Sequence, residues 1–258
     1  MLEDTTGDET LGGEPQLVRL ALPDRPGRLA LVASRFAAHN VNILRVEVVE
    51  AGDDVAVDDL LVVGGNLVLA LEELGEEIEI LGLREHAELP DPGIAMADAV
   101  AAVSGAASLG AARHALVVAA LELVGADGGV LLRDAGHGWL RPVASTAESL
   151  PPIREDQPCL ARSALSRSRA ETASAQEPWA PAAYLVGLGM GRVLVVPAGM
   201  PPFLALALLR HDAFPFVEAE VERVQALLRV AVGFLGALGE RSVRAPVDAP
   251  EHVARVRQ

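Results

Sequence analysis

Asp24-Arg25-Pro26-Gly27-Arg28-Leu29 and, one helical stretch later, Asn40-Val41-Asn42-Ile43 decide how the first third of this chain is read. The first segment follows a short strand-like run, Leu17-Val18-Arg19-Leu20-Ala21-Leu22. Pro26 suits the first position of a helix, and Gly27 permits close approach of other atoms to the backbone. Between the two segments, Leu29, Val32, Ala33, Phe36 and Ala37 recur at helical spacing and predict one apolar face. Asn40 closes that helix, because asparagine tolerates the left-handed conformation at a helix end.

Ile43 to Glu50 alternates, with Ile43, Val46 and Val48 apolar and Arg45, Glu47 and Glu50 among them. Ala51-Gly52-Asp53-Asp54 reads as a hairpin turn into a strand from Val55 to Val63. Gly64-Gly65 ends that strand. Asn66 is the expected N-cap of a helix from Leu67 to Leu74, which Gly75 stops. Glu77 to Leu83 alternates again, with Ile78, Ile80 and Gly82 expected inward. Asp58-Asp59 is an acidic pair in a strand; neighbouring strand residues face opposite sides, so it is not a paired-carboxylate site and is expected to be exposed. The order β-α-β-β-α-β predicts a ferredoxin-like sandwich, an antiparallel sheet with two helices on one face. Leu89-Pro90-Asp91-Pro92-Gly93 then reads as a linker.

A second unit follows. Met96 to Val124 predicts a long apolar helix that Gly105 and Gly110 can kink or split. Val130–Arg133, Trp139–Ala144, Arg192–Pro197 and Phe203–Arg210 read as strands, Cys159 to Arg169 as a helix, and Ala170 to Ala183 as irregular. Glu218 to Leu238 is an amphipathic helix with Val221, Val224, Leu227, Leu228, Val232 and Leu235 on its core side. Trp139, Trp179 and Tyr184 are expected in the core. Ser104 and Ser108, in an alanine-rich run, are read as packing residues.

The first unit resembles the ACT domain family, which carries D-x-P-G-x-L after its first strand and N-[VI]-[ND]-I entering its second. That resemblance implies pairing of domains and an amino-acid effector near the interface. Asp24, Arg25, Pro26, Gly27 and Arg28 would line one side of the pocket, and Asn40, Val41, Asn42 and Ile43 the other. The amides near Gly27 and Arg28 would hold a carboxylate, and Asn40 or Asn42 an ammonium group. The second unit resembles a GAF domain through Arg192-Val193-Leu194-Val195-Val196-Pro197, a short turn, Phe203 to Arg210, then Phe214, Phe216 and the last helix. The expected fold class is therefore α+β: a ferredoxin-like βαββαβ ACT domain followed by a GAF-like domain, an antiparallel sheet with flanking helices. The expected division is a disordered acidic segment over 1–15, an ACT domain over 16–88, a linker over 89–95, a GAF-like domain over 96–240 and a flexible tail over 241–258.

Charge and composition narrow the function. The net charge is −15, and the chain has no lysine. Such an acidic surface disfavours nucleic acid, whose phosphates select clustered positive charge. The alanine-, arginine- and glycine-rich composition resembles high-GC actinobacterial sequences. No stretch reads as a signal peptide or membrane span, so a cytoplasmic location is expected. The one cysteine, Cys159, excludes an internal disulfide, and the scattered His114, His137 and His211 form no metal-ligand pair by spacing. No cofactor is expected. Gly187-Leu188-Gly189-Met190-Gly191 does not match G-x-G-x-x-G, there is no G-x-S-x-G, and no catalytic constellation emerges. The expected function is a non-catalytic sensor, a homodimer binding an amino acid through its ACT domain. The GAF unit would relay or integrate a second signal to a separate output protein. A ligand-free dimerisation scaffold and an unrecognised enzyme are the alternatives.

Overall fold

The computed structural model describes residues 13–52, 54–85, 91–137, 139–146, 159–174, 191–198, 203–211 and 214–244. The first unit runs β1 (Gln16–Pro23), α1 (Arg28–Ala38), β2 (Asn42–Ala51), β3 (Val55–Val63), α2 (Leu67–Glu72) and β4 (Glu79–Glu85). Its sheet has the order β2-β3-β1-β4, and every pair is antiparallel. Val18, Leu20 and Leu22 of β1 and Leu60 and Val62 of β3 share one face, where they meet Val32 and Phe36 of α1 and Leu67, Ala70 and Leu71 of α2. Asn66 caps α2 as its type predicts, accepting a hydrogen bond from the Leu69 amide at 3.2 Å.

The other face of this sheet is covered too. Leu17 and Leu61 pack on Phe214, and Val49, Val57, Ala21 and Leu81 pack on Val217. Coverage on both sides explains why β1 and β3 are apolar at almost every position, not at every second one. It also overturns the expected exposure of Asp58 and Asp59, which are 3% and 2% exposed. Ile80 departs from its expected inward position and is 43% exposed. Ile80 stays opposite Leu20 but on the edge strand β4; the register shift between Arg19 and Leu20 skips Leu81 and carries Gly82, expected inward with Ile80, to the opposite face against Phe214. On α1, Val32 and Phe36 are buried, whereas Leu29 and Ala37 face outward.

Asp91 and Pro92 start a helix; they do not extend the linker. Asp91 accepts hydrogen bonds from the Gly93 and Ile94 amides, and Pro92 occupies the first turn, where its missing N–H costs nothing. The long apolar helix splits into α3 (Pro92–Ser104) and α4 (Leu109–Val124). Ser108 caps α4 through the Ala111 amide, a role in place of packing. Then come β5 (Gly128–Asp134), β6 (Leu140–Ser145), α5 (Leu160–Arg167), β7 (Glu171–Ser174), β8 (Arg192–Pro197), β9 (Leu204–Arg210) and α6 (Glu218–Arg244).

The second sheet has the order β6-β5-β9-β8-β7. Leu116, Ala120 and Val224, Leu227 and Leu228 pack on one face with Leu131, Leu194, Leu206 and Leu208. Leu160, Ala161 and Ala164 of α5 pack on the other with Val193, Val195, Ala205 and Ala207. The strand β7 falls inside a stretch expected to be irregular; four residues, Glu-Thr-Ala-Ser, are too few and too polar to announce an edge strand. Trp139 is 39% exposed, not core. Helix α6 continues past Leu238, into the expected tail. Trp179, Tyr184, Gly187–Met190, the acidic segment up to residue 12 and the tail from residue 245 lie outside the described residues.

Candidate functional site

The Asp24–Gly27 turn leads from β1 into α1. Gly27 is the N-cap of α1 at φ +88°, so Pro26 stands just before the cap and not at the first helical position. A Cβ built on Gly27 would meet nothing within 4 Å. Glycine is needed here for its positive φ, and the space above it is open. Around it, the Asp24 amide donates to the Asp54 carbonyl at 2.9 Å and the Arg25 amide to Pro23 at 2.8 Å. The Arg28 amide already donates a long 3.3 Å bond to the Arg25 carbonyl, and the Arg28 guanidinium pairs with Glu77. Asp24, Arg25 and Pro26 are exposed.

Asp58 shares the helix-side face of β3 with Leu60 and Val62. One of its carboxylate oxygens is buried without a hydrogen-bond partner. Burial, with Asp59 and Asp24 nearby, pushes its carboxyl above the usual range.

Asn40 holds φ +58° beyond the last turn of α1, and its amide donates to the Ala37 carbonyl at 3.1 Å. Asn40 and Asn42 are exposed, Val41 belongs to the core, and Ile43 packs partly against it. Gly65, at φ +63°, lies so close that a Cβ there would stand 2.5 Å from the Asn40 carbonyl carbon. At 1.5 Å per residue, α1 separates the two expected pocket segments by about 16 Å. One chain places them at opposite ends of the helix and does not bring them together.

Sequence reasoning missed a second arrangement, between the two units. Arg19 of β1 donates to both oxygens of its β3 neighbour Asp59, Nε at 2.7 Å and Nη2 at 2.6 Å. It also reaches Glu220 in the first turn of α6, and its Nη1 donates to the Pro215 carbonyl at 2.7 Å. Arg210, at the end of β9, donates to the same Pro215 carbonyl at 2.6 Å, to Glu220 at 2.7 Å and to the Val124 carbonyl. All four charged side chains are buried. Phe214 sits among guanidinium groups, 4.3 Å from that of Arg19 and 5.1 Å from that of Arg84. At the margin, Arg223 pairs with Glu47 at 2.9 Å.

Burial opposes charge on Glu220, but Arg210 and Arg19 outweigh it and hold the carboxyl below its usual range. Burial also pulls the Arg210 guanidinium down, against the attraction of Glu220. For Arg19, bonds to Asp59 and the charge of Glu220 overcome burial and raise the pKa.

Beside this network lies a cavity of about 260 Å³. Its walls include Arg19, Asp59 and Arg84 from the first unit, and Ala95, Arg210 and Glu220 from the second. Arg84 donates to the Gly125 carbonyl at 2.5 Å. The sequence held one signal of this joint: Arg19 interrupts an otherwise apolar strand, which implies a partner on the covered face. Nothing local named Glu220. Among the described residues, no group of three or more His, Cys, Asp or Glu is placed to hold a metal ion, and no helix is long and apolar enough to cross a membrane.

Residues 17–79 match the family model of the ACT domain. Part of the structure is similar to the GAF domain of a phosphoenolpyruvate-protein phosphotransferase from Coxiella burnetii, at 16% identity and a TM-score of 0.50, covering 59% of this chain and 96% of that one. That share exceeds what the 17–79 segment can account for, so the second unit carries the GAF fold. The GAF domain of the corresponding Acinetobacter enzyme aligns at 15% identity over 62% of this chain and 100% of that one, with a TM-score of 0.48. No curated protein matches the chain.

Proposed function

We propose that this chain, in which an ACT domain precedes a GAF fold, is a non-catalytic sensor whose ACT turn takes an amino acid between two copies of the chain. ACT and GAF domains are regulatory, small-molecule-sensing domains. The observation that carries the finer reading is the open space over Gly27 at the N-terminus of α1, where amides of the first turn face a site that a carboxylate can enter. The 16 Å scale of separation between that turn and Asn40–Ile43 supports a second copy as supplier of the opposite wall. The GAF unit then relays the signal, or adds its own, to a separate output protein.

A thermal-shift screen of the twenty amino acids, with nucleotides and cyclic nucleotides alongside, tests this reading. A ligand that binds only the folded state adds about 2.7 kcal/mol at a hundredfold excess over its Kd. Gly27→Asn keeps the positive φ accessible while filling the space, so it is expected to abolish the shift without unfolding the protein. A selective shift that survives Gly27→Asn sinks the assignment of the turn.

A dimerisation scaffold without ligand is the second reading. It is favoured by Leu44, Val46 and Val48, exposed in a row along the edge strand β2. A chain that dimerises in sedimentation and gives a flat ligand screen would support it.

A further inference from the structure

We infer that the end of the second sheet away from the first unit, where Arg113, Arg133 and Arg141 converge beside two exposed aromatic rings, is a docking surface for a carboxylate-rich segment of a partner protein. It shares no residue with the Asp24–Arg28 turn or with Asn40–Ile43, so it stands or falls independently of what that turn binds. It rests on the preceding reading only in taking the partner to be the output protein.

Register places the first two arginines. Arg133 of β5 stands directly opposite Arg141 of β6, with Leu204 of β9 on its other side. Leu131 and Leu204 belong to the core that α4 and α6 cover, and strand alternation puts Arg133 on that face, with Arg141 beside it. The helix supplies the third. Gly129, at the start of β5, lies against Val117 and Leu121 of α4, so the end of the strand lies towards the first turns of the helix, where Arg113 stands. Burial, and after it the charge of Arg133, pull the Arg113 guanidinium below its usual range.

Like charges directly opposite each other on a sheet are destabilising. The chain has 36 acidic residues that could answer them. Yet among the described residues none of the three guanidinium groups forms a salt bridge or a hydrogen bond. Asp134, next to Arg133, is turned to the Gly136 amide at 2.8 Å. A local choice that works against stability, with no answer inside the chain, marks a surface kept for something outside it.

The surroundings fit a protein. Trp139, two residues before Arg141, is 39% exposed. Phe203, whose carbonyl accepts from the Asp134 amide at 2.9 Å, is 51% exposed. Arginine and tryptophan are the side chains that dominate protein interfaces. Three unanswered guanidinium groups select carboxylates, through charge-assisted bonds. A long polyanion such as duplex nucleic acid fits worse. Beyond this island it meets a chain of net charge −15, and a screening length of about 8–10 Å does not hide that charge.

The test uses the full chain and a fluorescein-labelled ten-residue peptide of alternating glutamate and leucine pairs, read by anisotropy. Its glutamine counterpart and a duplex DNA of similar length are the comparison probes. The glutamate peptide is expected to bind and to weaken with salt, and its affinity should fall at least tenfold when Arg133→Gln and Arg141→Gln are combined. Arg229→Gln, at an exposed arginine of α6, should leave binding unchanged. So should Gly27→Asn, which separates failure of the ACT turn from failure of this surface. The double variant should melt at or above the wild-type temperature, because it removes a like-charge contact. The inference is overturned if the glutamate peptide does not bind, if binding survives the double variant, or if Arg229→Gln weakens it equally. Equal binding of the glutamine peptide, or tighter binding of the DNA, overturns it too. So does a lower melting temperature of the double variant, which would mean that the arginines are answered within the chain.

Discussion

Arg19, in the first strand of the ACT domain, donates two hydrogen bonds to Glu220, 201 residues further along the chain, at 3.0 and 3.3 Å. Both side chains are buried, so this contact is the ionic centre of the joint between the two units. A buried ion pair adds little net stability compared with an apolar pair of the same shape. Removing one partner, by contrast, leaves a buried charge unanswered.

Glu220→Ala should therefore destabilise the protein by about 3–5 kcal/mol, since it strips the shared carboxylate from both Arg19 and Arg210 and leaves Arg210 with carbonyl acceptors alone. Urea denaturation measures this. A loss below about 1 kcal/mol would mean that the two arginines find other acceptors and that the network does not hold the joint.

Acid should unlock the same contact. The folded-state pKa of Glu220 is depressed, so the stability it contributes is present above its unfolded value and is lost as pH falls through the folded one. Wild-type stability should fall over that acid window, and Glu220→Gln should flatten the fall attributable to this group. Parallel slopes for the two proteins would contradict the assignment.

Asp58 has the opposite sign. Its folded-state pKa is raised, so its favourable, protonated form is lost as pH rises through the folded value. Asp58→Asn should stabilise the protein near neutral pH by on the order of 1 kcal/mol, with the gain shrinking as acid protonates the native carboxyl. Thermal melts across pH check it. A destabilised variant at neutral pH would mean that the charge is answered by a group near the Asp24 turn.

Gly82 faces the joint. A Cβ there would stand 2.6 Å from Cδ2 of Phe214 and 3.3 Å from its Cα, so the backbone as well as the ring must yield. Gly82→Ala is expected to cost about 1–3 kcal/mol through overpacking. Near-ultraviolet circular dichroism should report loosened aromatic packing together with the fall in Tm. An unchanged melt would show that the ACT sheet and Phe214 are not held against each other.

The turns and caps of this protein were legible locally. Asn40 takes its left-handed conformation and Asn66 caps α2 because each acts through its own backbone and the next few amides. The βαββαβ order followed from the same short-range signals, as did the amphipathic face of α6. Burial of Asp58 and Asp59, the exposure of Ile80 and the cavity between the units were decided only in three dimensions. Asp58 lies on the helix-covered face with Leu60, and Ile80 is left at the sheet edge, whereas the burial of Asp59 and the cavity depend on what covers the second face of the first sheet, and that cover arrives from Phe214, Val217 and Glu220. Propensity and periodicity act over one or two turns of chain. A partner for Arg19 some two hundred residues away is chosen by packing and charge compensation, which no local pattern encodes.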